Sequence, residues 1–167
     1  MPDVQPDWSR ETPERFWDPS RRLLRCIRRY QHWAARAGVM AAVMRRAWVL
    51  PYRFWSVVTQ ADIPLTARLG GGLMMPHPNG IVIHPKAQIG VNCLIFQQVT
   101  IGLVEKSHTA PRIGDHVDIG AGAKVLGPVR VGDHARIGAN AVVTRDLPTG
   151  MVATGIPATA RPRRDMV

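Results

Sequence analysis

The stretch IGDHVDIGAGAKVLGPVRVGDHARIGANAVV, residues 113–143, repeats an aliphatic residue every six positions. These residues, called anchors below, are Ile113, Ile119, Val125, Val131, Ile137 and Val143. A period of six fits neither the 3.6-residue turn of an amphipathic helix nor the two-residue alternation of a strand. It fits a triangular solenoid in which each hexad makes one short strand and one corner. Three hexads then complete one coil, and the anchor side chains stack inward along the axis.

The same period extends towards the N-terminus and breaks there twice. The earlier anchors are Ile63, Leu69, Met75, Ile83, Ile89, Ile95 and Ile101. One break is a two-residue step before Ile83, and the other is the polar stretch LVEKSHTAP, residues 103–111. A purely structural array needs neither break. Interruptions of a regular scaffold are common places for functional residues, so both segments are candidates.

The first break contains MMPHPNGIVI, residues 74–83, with His77 between two prolines. Pro76 and Pro78 fix φ and remove two backbone donors, which excludes a helix interior or a central strand. Asn79 and Gly80 are turn residues. The sequence therefore predicts that His77 is held at a stiff corner just before a strand.

Composition limits the class of protein. The chain has 167 residues, 46% of them hydrophobic, which predicts one domain with a substantial core. Cys26 and Cys93 lie far apart without metal-ligand spacing, so we expect free thiols, a reducing cytoplasmic setting and no metal. No apolar stretch approaches membrane-spanning length, and the acidic, polar start does not resemble a signal peptide.

Four segments follow from these patterns. We expect a flexible tail over residues 1–20 and a basic α-helical region over 21–60, with breaks at Gly38 and Pro51. The β-helix is expected over 61–150, with a loop at 103–111. Residues 151–167 are expected to form a C-terminal tail.

The helical region carries much of the net charge of +10, because residues 21–53 contain nine arginines and no acidic residue. A solvated or interface-forming helical surface is the simplest interpretation. Peripheral contact with anionic lipid is an alternative, since Trp33, Trp48 and Trp55 share this region. No nucleic-acid recognition motif accompanies the arginines, so we do not expect a nucleic-acid partner.

The residues 113–148, followed by GIPA at 155–158, resemble the hexapeptide-repeat acyltransferases, which fold as left-handed parallel β-helices and work as trimers. Within that class, GGGLMMPHPNGIVI (70–83) and FQQVTIG (96–102) are similar to the serine O-acetyltransferases. Those enzymes make O-acetylserine, a precursor of cysteine, from acetyl-CoA and serine. The fold class that the resemblance implies is a mainly-β left-handed β-helix preceded by short helices.

The resemblance also implies site residues. The family's catalytic histidine lies in a His-x-x-Gly-Ile-Val element, which here begins at His77, and its partner aspartate fifteen residues earlier corresponds to Asp62. His77 would act as general base on a hydroxyl, which attacks the thioester of acetyl-CoA, while Asp62 fixes the imidazole tautomer. The positions that match the family's cofactor-binding groove between subunits are Gly102, Ala121, Ala139 and Arg136. Backbone N–H groups near Gly102 would stabilise the oxyanion.

Departures from the family leave the acceptor open. Pro76 stands where many relatives have aspartate, and Thr109-Ala110 replaces an Arg-His pair. His108, Lys106 or Arg112 are candidate substitutes, so the acceptor-binding set would be Asp62, His77, His108 and Arg112. L-serine is the first expectation; a sugar hydroxyl of polysaccharide biosynthesis and a non-enzymatic trimeric interaction module are the alternatives. A homotrimer is expected, and pairing of two trimers is left open.

Overall fold

A computed structural model describes residues 4–105 and 107–163 and begins with helices. A 3-10 turn at Trp8–Glu11 precedes α1 (Pro19–Ala34), α2 (Val39–Ala47) and α3 (Val49–Thr59). Pro19 opens α1, where its missing N–H is not needed, and Gly38 with φ 102° separates α1 from α2. Pro51 does not interrupt a helix as expected, because it lies in the first turn of α3. Among the described residues, none of the helices is long and apolar enough to cross a bilayer.

Short parallel strands follow and stack into three sheets. They are β1 (Arg68–Leu69), β2 (Val82–Ile83), β3 (Gln88–Ile89), β4 (Leu94–Ile95), β5 (Thr100–Gly102), β6 (Arg112–Ile113), β7 (Asp118–Ile119), β8 (Lys124–Leu126), β9 (Arg130–Val131), β10 (Arg136–Ile137), β11 (Val142–Val143), β12 (Met151–Thr154) and β13 (Thr159–Pro162). The first face is β1-β3-β6-β9, the second β4-β7-β10-β12 with β13 at its edge, and the third β2-β5-β8-β11. All neighbouring pairs are parallel except β12–β13. The predicted parallel β-helix is confirmed.

The repeat forms the core as the hexad pattern predicts. Every anchor from Ile63 to Val143 is between 0% and 9% exposed, and the small or apolar residues four places after the anchors are also buried. Backbone hydrogen bonds join each coil to the next, such as Gly90 N to Ile113 O at 3.0 Å. The coils stack so tightly that a Cβ at Gly90 would collide with the backbone of Gly114. Close stacking, rather than positive φ, therefore explains the glycine after this anchor.

The helices cover the open end of the β-helix. The first coil has no preceding coil to bond, so its carbonyl groups need other donors. Arg28 donates to the carbonyls of Leu69 and Gly70, each at 2.6 Å. Gln31 donates to two further carbonyls of the coil, and the Tyr52 hydroxyl donates to Ile63 O at 2.9 Å. Side chains of α1 and α3 thus replace the missing strand.

The segment expected to be a flexible tail instead packs on the first two coils. Arg10 donates to Asn92 O at 2.6 Å, and the backbone N–H of Asp7 donates to the Asn92 side chain at 2.7 Å. The carboxylate of Glu11 is only 7% exposed and accepts hydrogen bonds from Leu73 N and from Arg28. These contacts use backbone groups of the β-helix, which explains why no hydrophobic period marks the segment.

The predicted C-terminal tail also needs correction where the structure describes it. Residues 151–162 form an antiparallel hairpin, with Met151 opposite Pro162 and Thr154 opposite Thr159. Strand β12 continues the second face below β10, and β13 extends that face sideways. Residues 164–167 of the predicted tail lie outside the described residues.

The cap predicts a stability difference between two neighbouring arginines. Arg28→Ala leaves the buried Glu11 carboxylate without its ion-pair partner and two carbonyls without their donor, so we expect a loss of about 3 kcal/mol in the free energy of unfolding. Arg29→Ala is the control, because Arg29 is exposed on the same helix. Urea unfolding followed by circular dichroism measures both. Equal stability of the two variants would contradict the proposed cap.

Candidate functional site

His77 lies in the corner that joins the second face to the third. We call the stacked segments 76–80, 96–98, 120–122 and 138–140 the His77 corner. Backbone hydrogen bonds connect the segments in order: Gln98 N to Asn79 O, Gly122 N to Gln97 O, and Asn140 N to Ala121 O, at 2.8–2.9 Å. The two extra residues of the first break widen only the top segment. The corner is therefore a regular column with an enlarged loop that carries His77 at its top.

The His77 loop is fixed to the end of α3. Gln60 has a left-handed backbone with φ 53°, and its carbonyl accepts a hydrogen bond from Gly80 N at 3.0 Å. The Asn79 side chain donates to the Gln60 side chain at 2.5 Å. The imidazole itself is exposed to solvent. Gln60 thus holds the predicted stiff corner through the two residues that end the loop, Asn79 and Gly80.

A cavity of about 520 Å³ opens between this loop and the N-terminal segment. Its walls are the loop at 76–79, the end of α3 at 58–59, and residues 14, 15 and 17–21. Glu14 and Asp18 bring carboxylates to the wall, and Arg15 and Arg21 bring guanidinium groups. Arg21 lies 2.8 Å from Glu14 and 3.3 Å from Asp18. The cavity therefore presents both charge signs beside an imidazole, which suits a small zwitterion.

No repeat or motif in the sequence marks this wall, which belongs to the segment expected to be a tail. The hint of order there is Asp18-Pro19, a common start for a helix. Asp18 makes no side-chain cap bond to α1; it lines the cavity, and its carboxylate accepts hydrogen bonds from Glu14 N at 3.4 Å and from Arg21 at 3.3 Å. Only the packing of the segment against the β-helix brings these charges to His77.

Asp62 lies on the coil next to the His77 loop but does not contact the ring. Its backbone N–H donates to Ile81 O at 2.8 Å, and its carbonyl accepts from Ile83 N, so it pairs in register with Val82. Its carboxylate is exposed on the third face. The structure describes both side chains. It shows no hydrogen bond and no ion pair within 4.0 Å between the Asp62 carboxylate and the His77 imidazole. The structure places the two residues on adjacent coils, without the predicted hydrogen bond between their side chains.

A second cavity, here called the arginine groove, runs along the second face with a volume of about 1090 Å³. It is lined by Leu94, Phe96, Asp118, Gly120, Arg136, Ile137, Gly138, Ala139, Val152, Thr154, Arg161, Pro162 and Arg163. Two of the predicted cofactor residues, Arg136 and Ala139, are among them. Arg136 lies 3.2 Å from Asp118, while Arg161 lies in the C-terminal hairpin and Arg163 directly follows it. Three guanidinium groups against one carboxylate make the groove attractive to phosphates.

The other two predicted cofactor positions are separated in a single chain. Ala121 lies in the His77 corner, one coil above Ala139, with its carbonyl bonded to Asn140 N. Gly102 lies at the far end of β5, opposite Leu126, about 13 Å along the strand from the corner. The structure therefore groups Ala121, Ala139 and Arg136, and it does not bring Gly102 to them.

The predicted acceptor residues of the second break also lie away from His77. His108 is exposed in the loop 103–111, which leads from the third face to the first. Arg112 is exposed in β6 on the first face, between Gln88 and Arg130. Neither residue lines the His77 cavity of its own chain. Lys106, the third candidate, lies outside the described residues.

Across the described ranges 4–105 and 107–163, no three histidine, cysteine, aspartate or glutamate side chains cluster as a metal site. Cys26 and Cys93 are buried free thiols, and burial raises the pKa of each to about 11. Both thiols are therefore protonated and unreactive at neutral pH.

Comparison with known proteins agrees with this geometry. Residues 110–145 match the family model of the bacterial transferase hexapeptide (six repeats). The chain is 39% identical over 133 residues to the serine acetyltransferase of Mycobacterium tuberculosis, covering 77% of this chain and 55% of that one. This chain spans about half the length of the curated relatives that it matches.

Solved structures extend the likeness to the helical region. Neisseria gonorrhoeae serine acetyltransferase superposes with a TM-score of 0.73 at 32% identity, over 88% of this chain and 55% of that one. A serine acetyltransferase in complex with CoA gives 0.72 at 30% identity, over 87% and 58%. The left-handed β-helix with an N-terminal helical region and the resemblance to hexapeptide-repeat acyltransferases are confirmed.

Proposed function

We propose that this hexapeptide-repeat β-helix, which resembles the serine acetyltransferases, transfers the acetyl group of acetyl-CoA to the hydroxyl of L-serine. The observation that carries the proposal is the charged cavity beside His77, at one end of a corner whose other end borders the arginine groove. The similarity to serine acetyltransferases over three quarters of the chain supports the choice of substrates. The product, O-acetylserine, serves cysteine biosynthesis, and we place the reaction in the cytoplasm, where acetyl-CoA is available.

Acetyl-CoA would lie along the His77 corner. Arg136 and His77 are separated by three coils, which is about 14 Å at the spacing of neighbouring strands. Arg136, Arg161 and Arg163 would hold the phosphates of the nucleotide end. The small side chains of Ala121 and Ala139 let the pantetheine arm approach the backbone of the corner. The thioester then reaches the His77 loop at the top.

The chemistry needs one proton acceptor at the loop. His77 takes the proton of the serine hydroxyl as the oxygen forms its bond to the thioester carbonyl carbon. The carbon–sulfur bond of the tetrahedral intermediate then breaks, and the imidazolium returns its proton to the leaving thiolate. Acetylserine and CoA are the products, and no group remains on the enzyme. Backbone N–H groups beside the thioester would stabilise the oxyanion.

Asp62 is proposed to steady the imidazole when substrates are bound. Its coil is bonded directly to the segment that follows His77, so a change of side-chain rotamers alone can shorten their separation. Catalytic hydrogen bonds are often open in a ligand-free site and close in the substrate complex. A carboxylate against one ring nitrogen would stabilise the imidazolium that forms at the other.

Serine is a zwitterion, and the cavity offers a partner for each charge. Asp18 is proposed to accept hydrogen bonds from the ammonium group, and Arg15 to pair with the carboxylate. Asp18 is suited to this role because its side chain is only 17% exposed and Arg21, 3.3 Å away, holds it in place. These residues would replace the aspartate before the histidine and the Arg-His pair that this chain lacks.

A homotrimer would complete the site. The arginine groove is open to solvent on one side, and Gly102, His108 and Arg112 lie away from the His77 corner of their own chain. A neighbouring copy that packs its loop 103–111 against this corner would supply them. The three flat faces of the prism give the chain suitable surfaces for closed threefold packing.

His77 is the first residue to test. We expect L-serine to be the preferred acceptor over homoserine and a panel of sugars, and His77→Gln to lower kcat by about 10² to 10⁴. The measurement is release of free CoA thiol, to which the buried Cys26 and Cys93 contribute little. His32→Gln, exposed on α1, is the matched control. Full turnover by His77→Gln, or activity on sugars alone, would contradict the proposal.

Asp18 tests the recognition of serine. Asp18→Asn removes the charge that faces the ammonium group, so we expect the KM for L-serine to rise about tenfold or more while the KM for acetyl-CoA stays constant. L-Glycerate, which has a hydroxyl in place of the ammonium group, provides the second readout. The preference for serine over glycerate should shrink in Asp18→Asn. An unchanged preference would show that another group holds the ammonium.

The oligomer is tested by sedimentation. We expect the full chain to sediment as three copies, and activity to follow the trimer on dilution, because two copies would form each cofactor site. Mixing inactive His77→Gln with an inactive Arg112→Ala variant should restore part of the activity, since one site in the mixed trimer would contain neither change. An active monomer would contradict shared sites.

A further inference from the structure

The outer sides of α2 and α3 expose apolar side chains that the proposed reaction does not use. They are Val39, Met40 and Val43 on α2, and Leu50, Phe54 and Val57 on α3, between 54% and 83% exposed. On α3 the three residues recur at positions i, i+4 and i+7, which places them on one side of the helix. None of the six lines the His77 cavity or the arginine groove. We call these six residues, with the arginines beside them, the arginine-rich helical surface.

Arginine is the only charged residue type of this surface. No aspartate or glutamate occurs between residues 19 and 61. Arg36, Arg46 and Arg53 are exposed, and in the part of the chain that the structure describes they form no ion pair. By contrast, Arg21 and Arg28 are engaged by the N-terminal segment. The arginines of α2 and α3 therefore keep their positive charge unneutralised next to exposed apolar side chains.

Unneutralised arginines beside exposed apolar side chains distinguish between two partners of this surface, a second copy of the chain and a membrane. A second copy of the same surface would place arginines against arginines, with no carboxylate of the region to separate them. An anionic membrane supplies both requirements, because lipid headgroups neutralise arginine and the acyl boundary accepts apolar side chains. We propose that the arginine-rich helical surface binds anionic phospholipid membranes peripherally. Leu50, Phe54 and Val57 insert at the interface, while Arg46 and Arg53 bind headgroups.

Vesicle sedimentation with the full chain tests the proposal. We expect binding to phosphatidylcholine vesicles that contain phosphatidylglycerol, little binding to phosphatidylcholine alone, and weaker binding as salt rises. Arg46→Gln and Arg53→Gln should each weaken binding about fivefold, the equivalent of about 1 kcal/mol per arginine near the surface. Arg68→Gln, exposed on the first face, is the matched control and should bind like the parent.

The apolar contribution is tested separately. Leu50→Ser/Phe54→Ser should reduce binding about tenfold or more, while Ile156→Ser, 73% exposed in the hairpin, should not. Unchanged circular dichroism and serine acetylation would show that the variants fold, and both are independent of the membrane readout. Equal binding to neutral vesicles, no binding to either, or full binding by Leu50→Ser/Phe54→Ser would overturn the proposal. Sedimentation of the vesicle-free protein as larger assemblies that need Leu50 and Phe54 would assign the surface to a second copy instead.

Discussion

The structure depends on a single constraint: each coil of a parallel β-helix must bond its backbone to the next one. Inside the stack the repeat meets this requirement automatically, because every anchor occupies the same position in its coil and the strands align in register. The first coil has no predecessor, so its carbonyl groups would otherwise be left without donors. Arg28, Gln31 and Tyr52 supply the donors that a strand would supply. The helical region therefore completes the backbone hydrogen bonding of the β-helix.

The same cap builds the candidate site. Glu11 is held by Arg28 and by Leu73 N, and this buried contact directs residues 14–21 over the His77 loop. The end of α3 reaches the loop from the other side through Gln60. The regular coils below the loop offer the corner no charged side chain, because their segments 96–98, 120–122 and 138–140 contain none. Breaking the repeat by two residues, at the one coil that the helices cover, creates a cavity with charges that the repeat lacks.

How much the sequence predicts depends on the kind of contact. A six-residue period has one solution as a solenoid, so the anchors from Ile63 to Val143 could be assigned to the core from spacing alone. His77 was found because two prolines and a broken period mark it. The N-terminal segment was missed because Arg10 and Glu11 bind backbone groups 62–83 residues away, a contact that leaves no pattern in the side chains. Gly102 matches a family position and His108 and Arg112 are candidate substitutes for a missing pair, but a single chain does not bring them to His77.

The net charge of +10 is divided among surfaces with different tasks. Arg21 and Arg28 pair with carboxylates of the N-terminal segment, Asp18 and Glu11, and contribute mainly to the architecture of the fold. Arg136, Arg161 and Arg163 face a groove sized for an anionic ligand, where a shared field also attracts that ligand over a distance. Within residues 4–105 and 107–163, the arginines of α2 and α3 form no ion pair and line neither cavity, so their desolvation requires an external anion. Because like charges oppose direct contact between two such surfaces, the sign of the charge favours a membrane there and a nucleotide on the second face. Arginine thus has three different roles in this chain, and the number of carboxylates near each arginine decides which role it takes.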